Sequence, residues 1–523
     1  MKTHSQMRKT ALMLSALIAV AIGQGNAEPL AAQPVPAARG PEIAETRLAG
    51  GDSEIRVVDH GKEVAKYRIN LSGHHHPATD SSDPVIKAWE KRKFGAFLCF
   101  NSNQFDGREI DRSKDPKIYN PPVVDVKQWI ATFKAAGMDY AVLTARHTSG
   151  FLLWDSPTSE HDVAQSGNRT DAVKLYVEEC RRQGVQPGIY YCLWGGRFNR
   201  NANARAVILA QLHELATRYG DIPFFWIDMM NWAPGNLSTQ EIYDSLKNVN
   251  PKTVVMFNQH IQDGCHIKYF PTDVLNGEMH LPPAEGHNPR RQVGSKSYYL
   301  PLEYELCSQK RDSHRQLGGW DYSHASWFTY GAGKGFEPSG PFPAAFLYRW
   351  IRRAYDRRAA NVLLACAPDH TGRIRDEDVR QLIRLGRMLK NPSLAPPKPL
   401  TAGCKATASG IWPSPRLGPE LAFDDDPGTR WGGAPETKGG WLAVDLGKPR
   451  RFRRVWISEG WDRVRKFELQ IKKGGAWQTI CKGTTIGPDF SAEFEPATAQ
   501  HVRLNLLEAT DVPTIWEVQL FEK

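Results

Sequence analysis

The stretch WIATFKAAGMDYAVLTARH, residues 129–147, contains the repeating unit of the fold. Trp129, Ile130, Phe133 and Ala136 recur at helical spacing, Gly137 stops the helix where a left-handed residue is expected, and Tyr140–Thr144 follows as a short apolar strand. The polar residues Arg146 and His147 stand just beyond it. The same unit recurs in both directions. Upstream, a strand at 94–100 precedes the helix at 124–136. Downstream come helix 171–183, strand 188–191, helix 203–219, strand 224–227, helix 239–248, strand 254–257, and finally strand 361–365 before helix 376–389. Gly184 and Gly220 close two of these helices as Gly137 closes the first.

Strand–helix units of this length predict a parallel sheet with helices outside, either doubly wound or closed as a (β/α)8 barrel. No GxGxxG or GxxxxGK[ST] follows the first strand, which argues against nucleotide binding. Polar and aromatic residues stand just past nearly every strand, where a barrel builds its active site. The irregular span 258–345, with Pro282, Pro283 and Pro289, is expected to supply large loops over that face.

Composition sets the outer limits. With 523 residues, 41% hydrophobic and 24% charged, the chain falls in the ordinary globular range, which excludes a disordered, collagen-like or multi-span membrane protein. The length allows about three domains, or one large barrel and a smaller module. Against 57 acidic residues stand 67 Lys and Arg, a net +10 that is mild over this length and does not call for nucleic acid. The 16 Trp and 16 Tyr suit stacking on sugar faces. Eight cysteines (99, 180, 192, 265, 307, 366, 404, 481) show neither CxxC pairing nor zinc spacing and are sparse for a stapled scaffold, which leaves room for one or two disulfides without making the chain depend on them.

Lys2, Arg8 and Lys9 precede the apolar run Ala11–Ile22, and Gly25-Asn26-Ala27 offers small residues for cleavage. Residues 1–27 therefore read as a signal peptide, leaving an exported, periplasmic or secreted chain with no membrane span. Residues 28–83 form an Ala-, Pro-, Gly- and Ser-rich lead-in, whose His74–His76 triplet reads as solvated loop ahead of metal site. The barrel domain occupies 84–392 and a Pro-rich linker 393–401. Residues 402–523 carry the short alternating strands of an all-β sandwich.

FFWIDMMN, residues 224–231, runs four apolar residues directly into Asp228, a carboxylate at the C-terminal end of a buried strand. Position alone leaves a helix cap and a catalytic group equally open. Around it KFGAFLCF (93–100), AGMDYAVLTARHTSGFLLWDS (136–156), RRQGVQPGIYYCLW (181–194) and NVLLACAPDHTGRI (361–374) occur in a fixed order. That ordered set resembles the α-L-fucosidases of retaining glycoside hydrolase family 29.

The resemblance implies Asp228 as nucleophile, with an acid/base glutamate after the next short strand and ahead of prolines. DVLNGEMHLPP (273–283) places Glu278 there; Glu305, and then Glu303, in PLEYELC (301–307) are the alternatives. For substrate binding the resemblance implies His147, Trp154, Tyr190, Tyr191, Trp194 and Glu109. It also aligns Cys99 with a family histidine, Thr148 with the second of a histidine pair, and His260 with an arginine. Neighbours on a strand face opposite ways, so one of Tyr190 and Tyr191 must point into the barrel wall, and Trp226 reads as core.

Two carboxylates are what a retaining glycosidase needs, one ionised to attack the anomeric carbon and one protonated for the leaving oxygen, with no cofactor for catalysis. The three departures keep a second sugar open, an α-linked one of related L-galacto configuration, because hydroxyl-binding positions discriminate strongly. A glycan-binding barrel without turnover is the remaining alternative.

AFDDDPGTRW (422–431) with GGWLAVDLGKPRRFRRVWI (439–457) resembles a discoidin-type, coagulation factor 5/8 C-type jelly-roll, close to carbohydrate-binding modules. The implied partners are fucosylated or related glycans. Relatives often hold a structural calcium near the Asp-rich turn, which makes Asp424, Asp425 and Asp426 candidates beside the reading of a solvated acidic turn. Arg450, Arg451, Arg453, Arg454, Arg463, Arg465 and Lys466 read either as a solvated face or as a contact for anionic polysaccharide.

Overall fold

Strands that are apolar on both faces belong inside a helix-covered parallel sheet. Phe94–Leu98, Tyr140–Arg146 and Phe224–Asp228 are buried at every position, and they pair in parallel with their neighbours. The structure, a computed structural model, describes residues 40–107, 115–195, 203–260, 266–278, 288–310, 325–329, 340–426, 429–487 and 489–522. The signal peptide, Glu109 and Cys265 lie outside the described residues.

The chain begins with β1 (Glu42–Arg47), β2 (Ser53–Asp59) and β3 (Lys62–Ile69), a three-stranded antiparallel sheet. Composition had suggested a lead-in without regular structure. The sheet forms because Ile55 and Val57 alternate with polar neighbours along β2 and bury completely. Within the histidine triplet, the His75 ring bonds the Asn248 amide at 2.8 Å, and among the described residues no three metal-capable groups gather.

The barrel follows as α1 (Pro84–Glu90), β4 (Phe94–Leu98), α2 (Val126–Ala135), β5 (Tyr140–Arg146), α3 (Ala172–Gln183), β6 (Gln186–Cys192), α4 (Ala204–Thr217), β7 (Phe224–Asp228), α5 (Thr239–Lys247), β8 (Val254–Phe257) and β9 (Leu275–Glu278). A hairpin of β10 (Arg290–Val293) and β11 (Lys296–Tyr299) leads to β12 (Leu302–Cys307), α6 (Ala344–Arg358), β13 (Asn361–Ala365) and α7 (Asp376–Lys390). The helices start where side chains cap them: Asp125 and Asp171 accept from the first turns of α2 and α3, and Ser238 and Glu241 form a capping box on α5. Gly137, Gly184 and Gly220 take the left-handed conformation expected of helix ends.

The eight barrel strands run β8-β7-β6-β5-β4-β13-β12-β9, all parallel. Asp273 joins the two ends of this order. Its N–H donates to Val255 O and its carboxylate accepts from Val255 N, both at 2.8 Å. Inside, Trp89, Phe97, Tyr140, Tyr190, Phe224, Trp226 and Leu363 form one buried cluster. A separate, larger core lies between the strands and the helices.

The C-terminal domain is antiparallel. Its long strands Gly440–Glu459 and Phe490–Ala509 pair centrally, flanked by 514–521 on one side and by 464–473 and 476–483 on the other. Helix α6 reaches it through arginines: Arg349 Nε lies 3.1 Å from Asp425 Oδ1, and the Arg353 guanidinium closes on Asp426. Asp424 accepts from the Thr429 hydroxyl. With two of the three aspartates bound to guanidinium, the turn does not fit a calcium shell, which needs those oxygens for the ion. The seven cysteines among the described residues are free thiols.

Candidate active site

Strands β7, β8 and β9 end at one place, and each delivers a polar side chain there. Asp228 is the last residue of β7, Asn258 follows β8 directly, and Glu278 is the last residue of β9. Parallel strands of similar length put such residues on one rim of the barrel, with apolar residues below them. The Asn258 amide spans the two carboxylates. Its Nδ2 donates to Asp228 Oδ1 at 2.9 Å and to Glu278 Oε2 at 2.8 Å. Two amide hydrogens diverge at about 120°, so the two acceptor oxygens stand about 5 Å apart. The Asn258 Oδ1 in turn accepts from Asn276 Nδ2 at 2.8 Å and His260 N at 3.0 Å, which fixes which way the amide faces.

Asp228 is held by more than the amide. Met229 N donates to Oδ1 at 2.7 Å, the Tyr190 hydroxyl donates to Oδ2 at 2.5 Å, and His260 Nε2 lies 3.0 Å from Oδ1. Burial alone would raise its pKa. The histidine, the phenol and the backbone N–H outweigh burial and hold the carboxyl below its ordinary value, so Asp228 is ionised. Tyr190 itself stays a phenol, because burial and the adjacent carboxylate push its pKa far up.

His147 stacks on Tyr190 at 5.6 Å and meets Phe328 edge-on at 5.2 Å. Burial lowers its pKa to about 4 against the pull of Asp228, so the ring is neutral at ordinary pH and suited to a hydroxyl. Trp194 stacks on Trp232 at 4.8 Å, and Cys99 lies in the inner cluster with Tyr190 and Cys192.

Two residues expected in the site lie elsewhere. Tyr191 points outward, its hydroxyl bonding Gln211 of α4 at 2.7 Å, because it alternates with the inward Tyr190. Trp154 is fully buried behind the strands, with Nε1 donating to Glu214 of α4 at 2.6 Å. Both belong to the outer core. Trp226 is core, as read: it is almost fully buried, shares the inward face with Asp228 two residues later, and lies tilted 5.2 Å from the Tyr190 ring. Asn258 and Asn276 escaped the sequence reading altogether. Their only signal is position, one past the end of β8 and two before Glu278.

Glu303 and Glu305 also face inward; Glu305 stands in register with Glu278 on the neighbouring strand, and both are more deeply buried than the Asp228–Glu278 pair. Glu303 accepts from the Tyr140 hydroxyl at 2.5 Å, and burial pushes its pKa up to about 8. Glu305 is fully buried, accepts from Trp226 Nε1 at 3.3 Å, and is held protonated by burial and by its acidic neighbours. Side-chain exposure is 18% at Glu278 and 10% at Asp228, while Glu305 has none.

A barrel rim with two bridged carboxylates, neutral imidazole and stacked aromatics is a place for sugar chemistry, and comparison with known proteins agrees. Residues 72–284 match the Alpha-L-fucosidase family model, and residues 405–518 match the F5/8 type C domain. The barrel carries an alpha-L-fucosidase family domain. It is a glycoside hydrolase domain, followed by an F5/8 type C domain. The chain is 24% identical over 423 residues to alpha-L-fucosidase 1 of Arabidopsis thaliana, covering 76% of this chain and 79% of that protein. It is 27% identical over 159 residues to the plasma alpha-L-fucosidase of Rattus norvegicus, 28% of this chain and 34% of that one. A solved Ruminococcus gnavus GH29 fucosidase in complex with fucose aligns over 87% of this chain and 98% of its own, at 17% identity and a TM-score of 0.44.

The basic run of the F5/8 type C domain is largely paired. Arg450 meets Glu522, Arg453 meets Glu493, Arg463 meets Asp511 and Arg465 meets Asp462 at 3.0–3.5 Å, and Arg454 lies 4.6 Å over the Phe521 ring. Among the described residues, no helix is long and apolar enough to cross a membrane.

Proposed function

We propose that this chain is an exported exo-glycosidase that releases terminal α-L-fucosyl residues with retention of configuration, Asp228 acting as nucleophile and Glu278 as acid/base. The observation that carries this reading is the single Asn258 nitrogen bonded to both carboxylates. A spacing of about 5 Å suits direct attack, whereas inversion needs roughly 6.5–9.5 Å to admit a water.

In the first step Asp228 attacks the anomeric carbon while Glu278 gives its proton to the departing glycosidic oxygen. Asn258 occupies Glu278 Oε2, so the proton is carried on Oε1. In the second step Glu278 takes a proton from water, the water oxygen bonds the anomeric carbon, and the ester to Asp228 breaks. No metal or cofactor enters either step. Residues 1–27 direct export, and the F5/8 type C domain tethers the enzyme to fucosylated glycan.

A second sugar of L-galacto configuration is favoured by one feature. The positions aligned with family histidines are the short, buried Cys99 and Thr148, and the Thr148 hydroxyl sits 3.2 Å from His147 Nδ1. A panel of aryl α-glycosides tests both readings. Turnover of the α-L-fucoside, lost in Asp228→Ala, supports the first; preference for a different L-galacto sugar replaces it with the second. Tight glycan binding with no turnover of any member sinks the enzyme reading.

A further inference from the structure

His260 is the one described imidazole that faces both proposed catalytic carboxylates. Its Nε2 lies 3.0 Å from Asp228 Oδ1 and its Nδ1 3.8 Å from Glu278 Oε2, with the side chain 22% exposed. The residue sits at φ 48°, in the left-handed region. Its N–H donates to Asn258 Oδ1, the same amide that spans the carboxylates. One backbone bond and two ring contacts therefore converge on one geometry.

Resting on the assignment of Asp228 and Glu278 above, we propose that protonated His260 is the positioning residue of this pair, and that its charge state gates the site. A cation beside both groups favours an ionised Asp228, the nearer of the two, and offsets the repulsion between the carboxylates when both are charged. The charged groups around it come from three segments: Asp228 from β7, Glu278 from β9, and Lys268 from the β8–β9 connection, which opposes the charge. Burial alone would lower the ring's pKa. The Asp228 contact, with Glu278 behind it, outweighs burial and the lysine and raises it. A raised histidine pKa means that the charged form is fully present below about 6.5 and is lost as pH rises through the higher, folded value. The three groups form one coupled proton unit, so the pH profile reports the set and not a single residue.

Two measurements on the full chain test this. In 13C-histidine NMR, with the His260 signal assigned by its loss in His260→Gln, the ring should titrate above about 6.5 in the wild type and fall by a unit or more in Asp228→Asn. Titration at or below 6.5, or a value unmoved by Asp228→Asn, overturns the proposal whether or not the protein turns over a fucoside. In kcat/KM profiles on an aryl α-L-fucoside, His260→Gln should lose about ten- to a hundredfold at acidic pH, chiefly in kcat. His260→Arg, whose charge does not titrate, should restore acidic activity and carry the alkaline limb to higher pH. An alkaline limb identical in wild type and His260→Arg overturns the gating. Absence of all fucoside turnover in the wild type instead removes the proposed function, and the NMR titration then decides alone.

Discussion

The molecule holds two groups of carboxylates in opposite ways. At the contact between α6 and the C-terminal domain, Asp425 and Asp426 are each closed by an arginine, Arg349 and Arg353. At the barrel rim, Asp228 is held by an amide, a phenol, a backbone N–H and an imidazole. A permanent guanidinium fixes an aspartate as a structural anion. Neutral donors and a titratable ring stabilise the same charge while leaving it able to form and break a bond. These two groups therefore differ in role by their partners more than by their burial.

The largest effect expected from breaking this contrast is at the rim. Asp228→Ala should lower kcat by at least about 10⁴-fold on aryl fucosides, measured by leaving-group release. Glu278→Ala should lose most with poor leaving groups and recover with azide on activated ones, giving an α-glycosyl azide, the retained anomer. Activity unchanged in Glu278→Ala would return the acid/base role to Glu305. Asn258→Ala should come next, at about 10²–10³-fold in kcat, because one donor to each carboxylate disappears. A rise in KM alone would assign the amide to substrate binding.

At the arginine contact the expected loss is stability and not chemistry. Arg353→Ala strands Asp426 and should destabilise the chain by about 3–5 kcal/mol in denaturant melts, with kcat on small aryl substrates retained in the folded fraction. Added calcium should not restore the melting point; if it does, the turn is a metal site after all. The smallest effect belongs to Glu305→Gln, which mimics a carboxyl already protonated and should leave kcat within about threefold. Glu303 contributes a pH dependence of stability. Its raised pKa contributes stability that is complete below about pH 4.5 and declines as pH climbs to about 8, so Glu303→Gln should flatten that decline in the melting temperature.

The barrel was legible because its signal is periodic: strands buried on both faces alternate with helices that stop at Gly137, Gly184 and Gly220. The early sheet around Ile55 was obscured by the Ala- and Pro-rich composition that precedes it. Asp228 and Glu278 were legible through family motifs. The rest of the site depends on which way a side chain faces, and only the strand phase decides that: Tyr190 turns in and Tyr191 out, and Trp154 passes to the α4 side. Asn258 was not legible, since a bridging amide has no local pattern and its importance comes from two carboxylates on other strands. The arginine partners of Asp425 and Asp426 were hidden for the same reason, lying 76 and 73 positions upstream in Arg349 and Arg353.

The central claim is that Asp228 attacks the sugar directly, across a gap too small for an intervening water. The most direct measurement is the proton NMR spectrum of the sugar first released from an aryl α-L-fucoside, recorded before mutarotation. The account predicts α-L-fucose as the first product, with the β anomer appearing only as the solution equilibrates. The β anomer appearing first would contradict it.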